Sequence, residues 1–81
     1  MEALVHVTLK KTVLDPQGRT IRAALNNLGH AAVTSVRQGK FFEIELAEEA
    51  DPAKARDQVE RIAREVLANP VIEEYTVEIR E

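Results

Sequence analysis

Cysteine and tryptophan are absent from this 81-residue chain, and two Phe and one Tyr are its only aromatics. Without Cys there is neither a disulfide nor a thiolate metal site, and a domain this small without disulfides is expected in a reducing, cytoplasmic setting. The scarcity of aromatics leaves burial to Val, Leu, Ile and Ala, of which the larger contribute roughly 1.5–3 kcal/mol each. A chain of this length removes only about 60–65 % of its unfolded surface from water on folding. Its core is therefore thin, and self-association is the expected supplement. No stretch approaches the ~20 apolar residues of a membrane span. The opening MEALVHVTL carries Glu2 and then alternates, with neither the basic start nor the apolar run of a signal peptide. A soluble chain with no membrane partner is expected.

Positive charge is in short supply as well. Eleven Lys and Arg against 14 Asp and Glu leave a formal charge of −3, which gives no general attraction to a phosphate backbone. Nucleic acid is not an expected partner. Gly18, Gly29 and Gly39 lie far apart, so neither a dinucleotide fingerprint nor a Walker A loop exists. Ser35 is the one serine, and no nucleophile-elbow pattern surrounds it. His6 and His30 have no further ligands at a metal-binding spacing. No catalytic, cofactor-binding or metal-ligating set is expected in this chain.

What is present is hydrophobic patterning. Leu4 to Lys10 alternates, with Val5, Val7 and Leu9 on one face, and predicts a half-buried strand. Asp15 then caps a helix whose first residue is Pro16, where the missing N–H costs nothing. Ile21, Ala24, Leu25 and Leu28 form one apolar stripe of that helix, and Gly29 suits its left-handed end. Val33 to Gln38 and Phe41 to Leu46 read as two strands joined at Gly39-Lys40, with Phe42, Ile44 and Leu46 facing the core and Phe41, Glu43 and Glu45 facing away.

Asp51-Pro52 repeats the cap-plus-proline start. The second helix presents Ala55, Val59, Ile62, Ala63, Val66 and Leu67 inward, and opposite charges four apart, such as Arg56 and Glu60, mark its solvated face. Asn69-Pro70 ends it. Val71 to Arg80 alternates Tyr75, Val77 and Ile79 against Glu74, Thr76, Glu78 and Arg80. The order is βαββαβ over residues 1–81 as one domain, an α+β arrangement related to the ferredoxin-like class, with an antiparallel sheet and two helices.

Three groups of residues exceed what capping and core packing require. Asp15, Gln17, Gly18 and Arg19 crowd a helix start, where backbone N–H groups favour an anion or a partner's acceptor. Arg37 and Lys40 flank the Gly39 turn and suit a carboxylate or phosphate. Asn69, Pro70 and Glu73 follow the second helix. All nine are candidate partner contacts.

The segments VHVTLK (Val5 to Lys10), VLDPQG (Val13 to Gly18), AALNNLG (Ala23 to Gly29), VRQGK (Val36 to Lys40) and LANPVIEEY (Leu67 to Tyr75) together resemble the PurS family, small subunits of phosphoribosylformylglycinamidine synthase. Thr12 stands where that family often has glycine. The resemblance implies a dimer or higher homo-oligomer. It also implies two further partners, an ATP-dependent synthetase subunit, where ATP and Mg are expected, and a glutaminase subunit. The complex would convert formylglycinamide ribonucleotide to formylglycinamidine ribonucleotide in purine biosynthesis. This chain would support assembly and ammonia transfer, binding no cofactor itself. Two other readings are a ferredoxin-like module sensing a small molecule at its dimer interface, and an RNA-binding sheet built on Phe41 and Tyr75. Glu43 and Glu45 beside Phe41 oppose the latter.

Overall fold

The computed structural model describes residues 1–80. In chain order it contains β1 (Glu2–Leu9), α1 (Pro16–Asn27), β2 (Gly39–Glu45), α2 (Pro52–Ile62), a π-helical turn (Ala63–Leu67) and β3 (Glu73–Arg80). The strands form one antiparallel sheet in the order β2-β1-β3. β1 takes the centre because its inward residues are small and branched. Ala3, Val5 and Val7 are fully buried, and Val5 lies between Phe42 and Val77 in the ladder. Val59 and Ala63 of the helical layer close over them, with Phe42, Ile44, Leu46, Leu67, Tyr75, Val77 and Ile79 half-buried around the edge. The small side chains of Ala55, Ala63 and Ala68, all buried, leave room for the helix to approach the sheet closely.

One expected strand does not form. Residues 33–38 run without ladder partners, and Gly39-Lys40 opens β2 in place of a hairpin turn. The order is therefore βαβαβ, while the antiparallel sheet with two helices stands as expected. The segment's polar groups are engaged elsewhere. The Gln38 amide donates to the Asp15 carboxylate at 2.8 Å, and the Arg37 guanidinium donates to the carbonyls of Lys11 at 2.7 Å and Val13 at 3.2 Å. These bonds tie the segment to the loop before α1, and tertiary contacts override its β propensity. Gly39 is needed where it is, because a Cβ there would sit 2.5 Å from the Val7 carbonyl oxygen.

A second departure lies at the end of α2. The inward stripe holds at Ala55, Val59 and Ala63, but Val66 is 74 % exposed while Leu67 and Ala68 turn toward the core. The Ala68 amide donates to the Ala63 carbonyl, five residues back, at 2.8 Å. This wider turn advances the helix phase by one residue, which removes Val66 from the stripe. Arg56, expected on a solvated face, donates to the Val77 carbonyl at 3.2 Å and so fastens α2 to β3.

α1 begins and ends close to expectation. Asp15 caps it, Pro16 opens it, and Gly29 adopts φ +102° one residue beyond the Leu28 cap. Its apolar stripe, however, has no sheet beneath it. Leu28 is 76 % exposed, and Ile21 is exposed as well. α2 packs on the β3 side of the sheet, so the inner face over β2 lacks a helix. The molecule measures 50 × 25 × 14 Å with a radius of gyration of 16.1 Å, whereas a compact chain of this length has about 12 Å.

Candidate functional site

Asp15 organises the region where α1, the 33–38 segment and the starts of β2 and β3 meet. One carboxylate oxygen accepts from the Gly18 amide at 2.9 Å and the other from the Gln38 amide at 2.8 Å. The residue is buried. The Gln38 amide, the Gly18 amide and the nearby Arg37 charge together hold its carboxyl below the ordinary aspartate range, against the opposing effect of burial. Gly18 is constrained by the same junction, because a Cβ on it would fall onto the Val36 carbonyl oxygen. Asp15, Gly18 and Arg37 thus have internal duties: they hold the helix end against the chain that feeds β2.

A depression of about 250 Å³ opens beside this junction, lined by Leu9, Asp15, Gln17, Gln38, Lys40 and Glu73 with Gly39. Members of all three candidate groups converge here, although they are distant in sequence. Lys40 Nζ lies 4.0 Å from Glu73 Oε2, and the other Glu73 oxygen accepts from the Asn69 amide at 2.7 Å. The Glu73 amide in turn donates to the Asn69 carbonyl at 2.7 Å, and the Asn69 side chain accepts from the Val71 amide. Asn69 and Glu73 therefore close the turn that carries Pro70, which stays exposed at its tip. Gln17 and Lys40 are exposed and have no comparable internal task.

Arg19 falls on the other side of Asp15. It lines a second depression, of about 320 Å³, with Lys11, Thr12, Ser35 and Arg37. Lys11, Ser35 and Gln38 were not legible as site residues in the sequence. Gln38 acts through its backbone amide, which no side-chain pattern reveals, and Lys11 and Ser35 join Arg19 only because the 33–38 segment folds back on the loop.

Chemically, the first depression offers amides, the Lys40 ammonium and two carboxylates, Asp15 and Glu73, both of which already accept from backbone amides. Among the described residues no three His, Asp or Glu side chains converge on a common metal position. The outer sheet face carries Phe41, 49 % exposed and 4.6 Å from the His6 ring. Glu43, Glu45, Glu74 and Glu78 share that face, so it repels phosphate.

Residues 2–81 match the family model described as PurS, phosphoribosylformylglycinamidine (FGAM) synthase. A Mycobacterium leprae protein named phosphoribosylformylglycinamidine synthase subunit PurS is 45 % identical over 75 residues, covering 93 % of this chain and 90 % of that protein. The crystal structure of Methanocaldococcus jannaschii PurS, described as one of the subunits of formylglycinamide ribonucleotide amidotransferase, superposes with a TM-score of 0.87 at 40 % identity. It covers 99 % of this chain and 95 % of that one. A chain in the structure of PurLQS from Thermotoga maritima superposes with a TM-score of 0.77 at 33 % identity, covering 95 % of this chain and 93 % of that one.

Proposed function

The chain belongs to the PurS family, and from that premise we propose that it serves as the small, non-catalytic subunit of a phosphoribosylformylglycinamidine synthase. Its partners there are the synthetase and glutaminase subunits. The observation that carries the reading is the family match along essentially the whole chain. The complex works in purine biosynthesis, and its ATP and Mg belong to the synthetase subunit. This chain holds the two larger subunits in register so that ammonia released from glutamine reaches the synthetase, and the complex resides in the cytoplasm. No helix of the described residues is long and apolar enough to cross a membrane.

The unpaired helix supports a homodimer as the working form. α1 presents Ile21 and Leu28 to solvent, and the inner face over β2 has Phe42 and Ile44 only half-covered. Two copies satisfy both needs at once when α1 of each lies over β2 of the other, an arrangement whose two-fold symmetry makes the exchange reciprocal.

The contact surface toward the larger subunits is assigned to the depression at Gln17, Lys40 and Glu73, with Asn69 and Pro70 on its rim, Arg19 beside it, and Asp15, Gly18 and Arg37 holding its shape. Gln17→Ala and Lys40→Ala remove exposed side chains whose one internal contact is the Lys40–Glu73 pair at 4.0 Å. Each is expected to weaken co-elution with the synthetase and glutaminase subunits by about tenfold, the effect of losing one hydrogen bond to a charged or buried partner, while leaving the melting temperature unchanged. Undiminished co-elution of both variants would remove this assignment.

A further inference from the structure

The second depression, on the far side of Asp15, has a composition out of keeping with the rest of the molecule. In a chain of formal charge −3, Lys11, Arg19 and Arg37 converge on one concavity of about 320 Å³, with the hydroxyls of Thr12 and Ser35 on its wall. Asp15 is the one acidic residue lining it. Its two oxygens already accept from the Gly18 and Gln38 amides, so the carboxylate faces donors of its own. Three cations and one carboxylate leave a local surplus of positive charge in this concavity. That surplus suits a dianion of phosphate size.

The cluster is held in place. Arg37 donates three hydrogen bonds to the carbonyls of Lys11 and Val13, at 2.7 to 3.3 Å. A guanidinium carries five N–H donors, so Arg37 keeps donors in reserve after bracing the loop that bears Lys11 and Thr12. An Arg fixed by the protein's own carbonyls loses little further freedom on binding an anion. Lys11 and Arg19 are exposed, and no ion pair occupies either among the described residues.

We propose that the Lys11, Arg19 and Arg37 depression is a binding site for a phosphate dianion, free or carried as the monoester of a small molecule. The inference goes beyond the subunit reading and does not rest on it, because the site is complete within one chain. The test is titration of the isotope-labelled full chain with inorganic phosphate at constant ionic strength, read by amide chemical shifts. Saturable shifts clustered at residues 11–19 and 35–37 are expected. They should weaken at least about tenfold in Lys11→Glu and in Arg19→Glu and survive in Arg19→Lys, whose positive charge is kept. Both acidic variants change exposed residues outside the core, and far-dispersed spectra would verify their folding. Ribose 5-phosphate saturating the same amides assigns the site to monoesters, and saturation by inorganic phosphate alone assigns it to the free anion. Absent shifts, shifts reproduced by chloride, or shifts unaltered in both acidic variants would overturn the site. Failure to co-elute with the larger subunits bears on the subunit reading alone.

Discussion

Asp15 shows how one residue can look functional and be structural at once. Asp-Pro-Gln-Gly resembles a ligand-cradling turn, yet the carboxylate accepts from Gly18 and Gln38 and thereby joins two chain segments. Because its folded-state pKa is lowered, Asp15 stabilises the fold at pH values above about 3.9, the ordinary aspartate value. That contribution is lost as pH falls through the lowered folded value. Asp15→Asn should therefore be less stable than the parent chain at pH 7 in urea titrations, and the difference should narrow as the pH is taken below 4. Gly18→Ala should cost about 1–3 kcal/mol in the same titration, as overpacking against backbone usually does, although alanine is the better helix former. The capping role of Asp15 was legible in the sequence. The bond to Gln38 was not, because it joins residues 23 apart through a backbone amide.

The elements whose periodicity is set by their own packing were the most legible. β2 and β3 keep the expected inward faces, and β1 keeps Val5 and Val7 inward, because alternation reports directly which side meets the core. Residues 33–38 have strand-like composition but spend their polar groups on the α1 junction, and composition carries no record of a partner. The π turn defeated the α2 stripe at Val66, since a 3.6-residue count cannot foresee an extra residue in a turn. Val66→Ser should consequently change stability by less than about 0.5 kcal/mol. Val59→Ala, at a fully buried position, should cost about 2 kcal/mol. For α1 the stripe is legible while its destination is not, because periodicity shows that a face needs cover and leaves open which chain supplies it. Ile21→Asp combined with Leu28→Asp should convert the proposed dimer to monomer in sedimentation equilibrium and leave the far-ultraviolet spectrum of the sheet intact. A dimer that persists in this double variant would refute the exchanged-helix arrangement.

At the scale of the molecule, the dimensions and the chemistry point the same way. A chain with a radius of gyration of 16.1 Å and an amphipathic helix whose apolar stripe is exposed is built to be completed by other chains. The family match places this chain among the PurS proteins, and the chains proposed to complete it are a second copy and the synthetase and glutaminase subunits. The central claim is that the subunit couples glutamine hydrolysis to the synthetase without performing either reaction. Its most direct test is formylglycinamidine ribonucleotide synthesis by the synthetase and glutaminase subunits, with and without this chain, using glutamine or free ammonia as the nitrogen source. Glutamine-dependent synthesis that requires the chain, alongside ammonia-dependent synthesis that does not, is the predicted result. Equal glutamine-dependent rates with and without the chain would contradict the account.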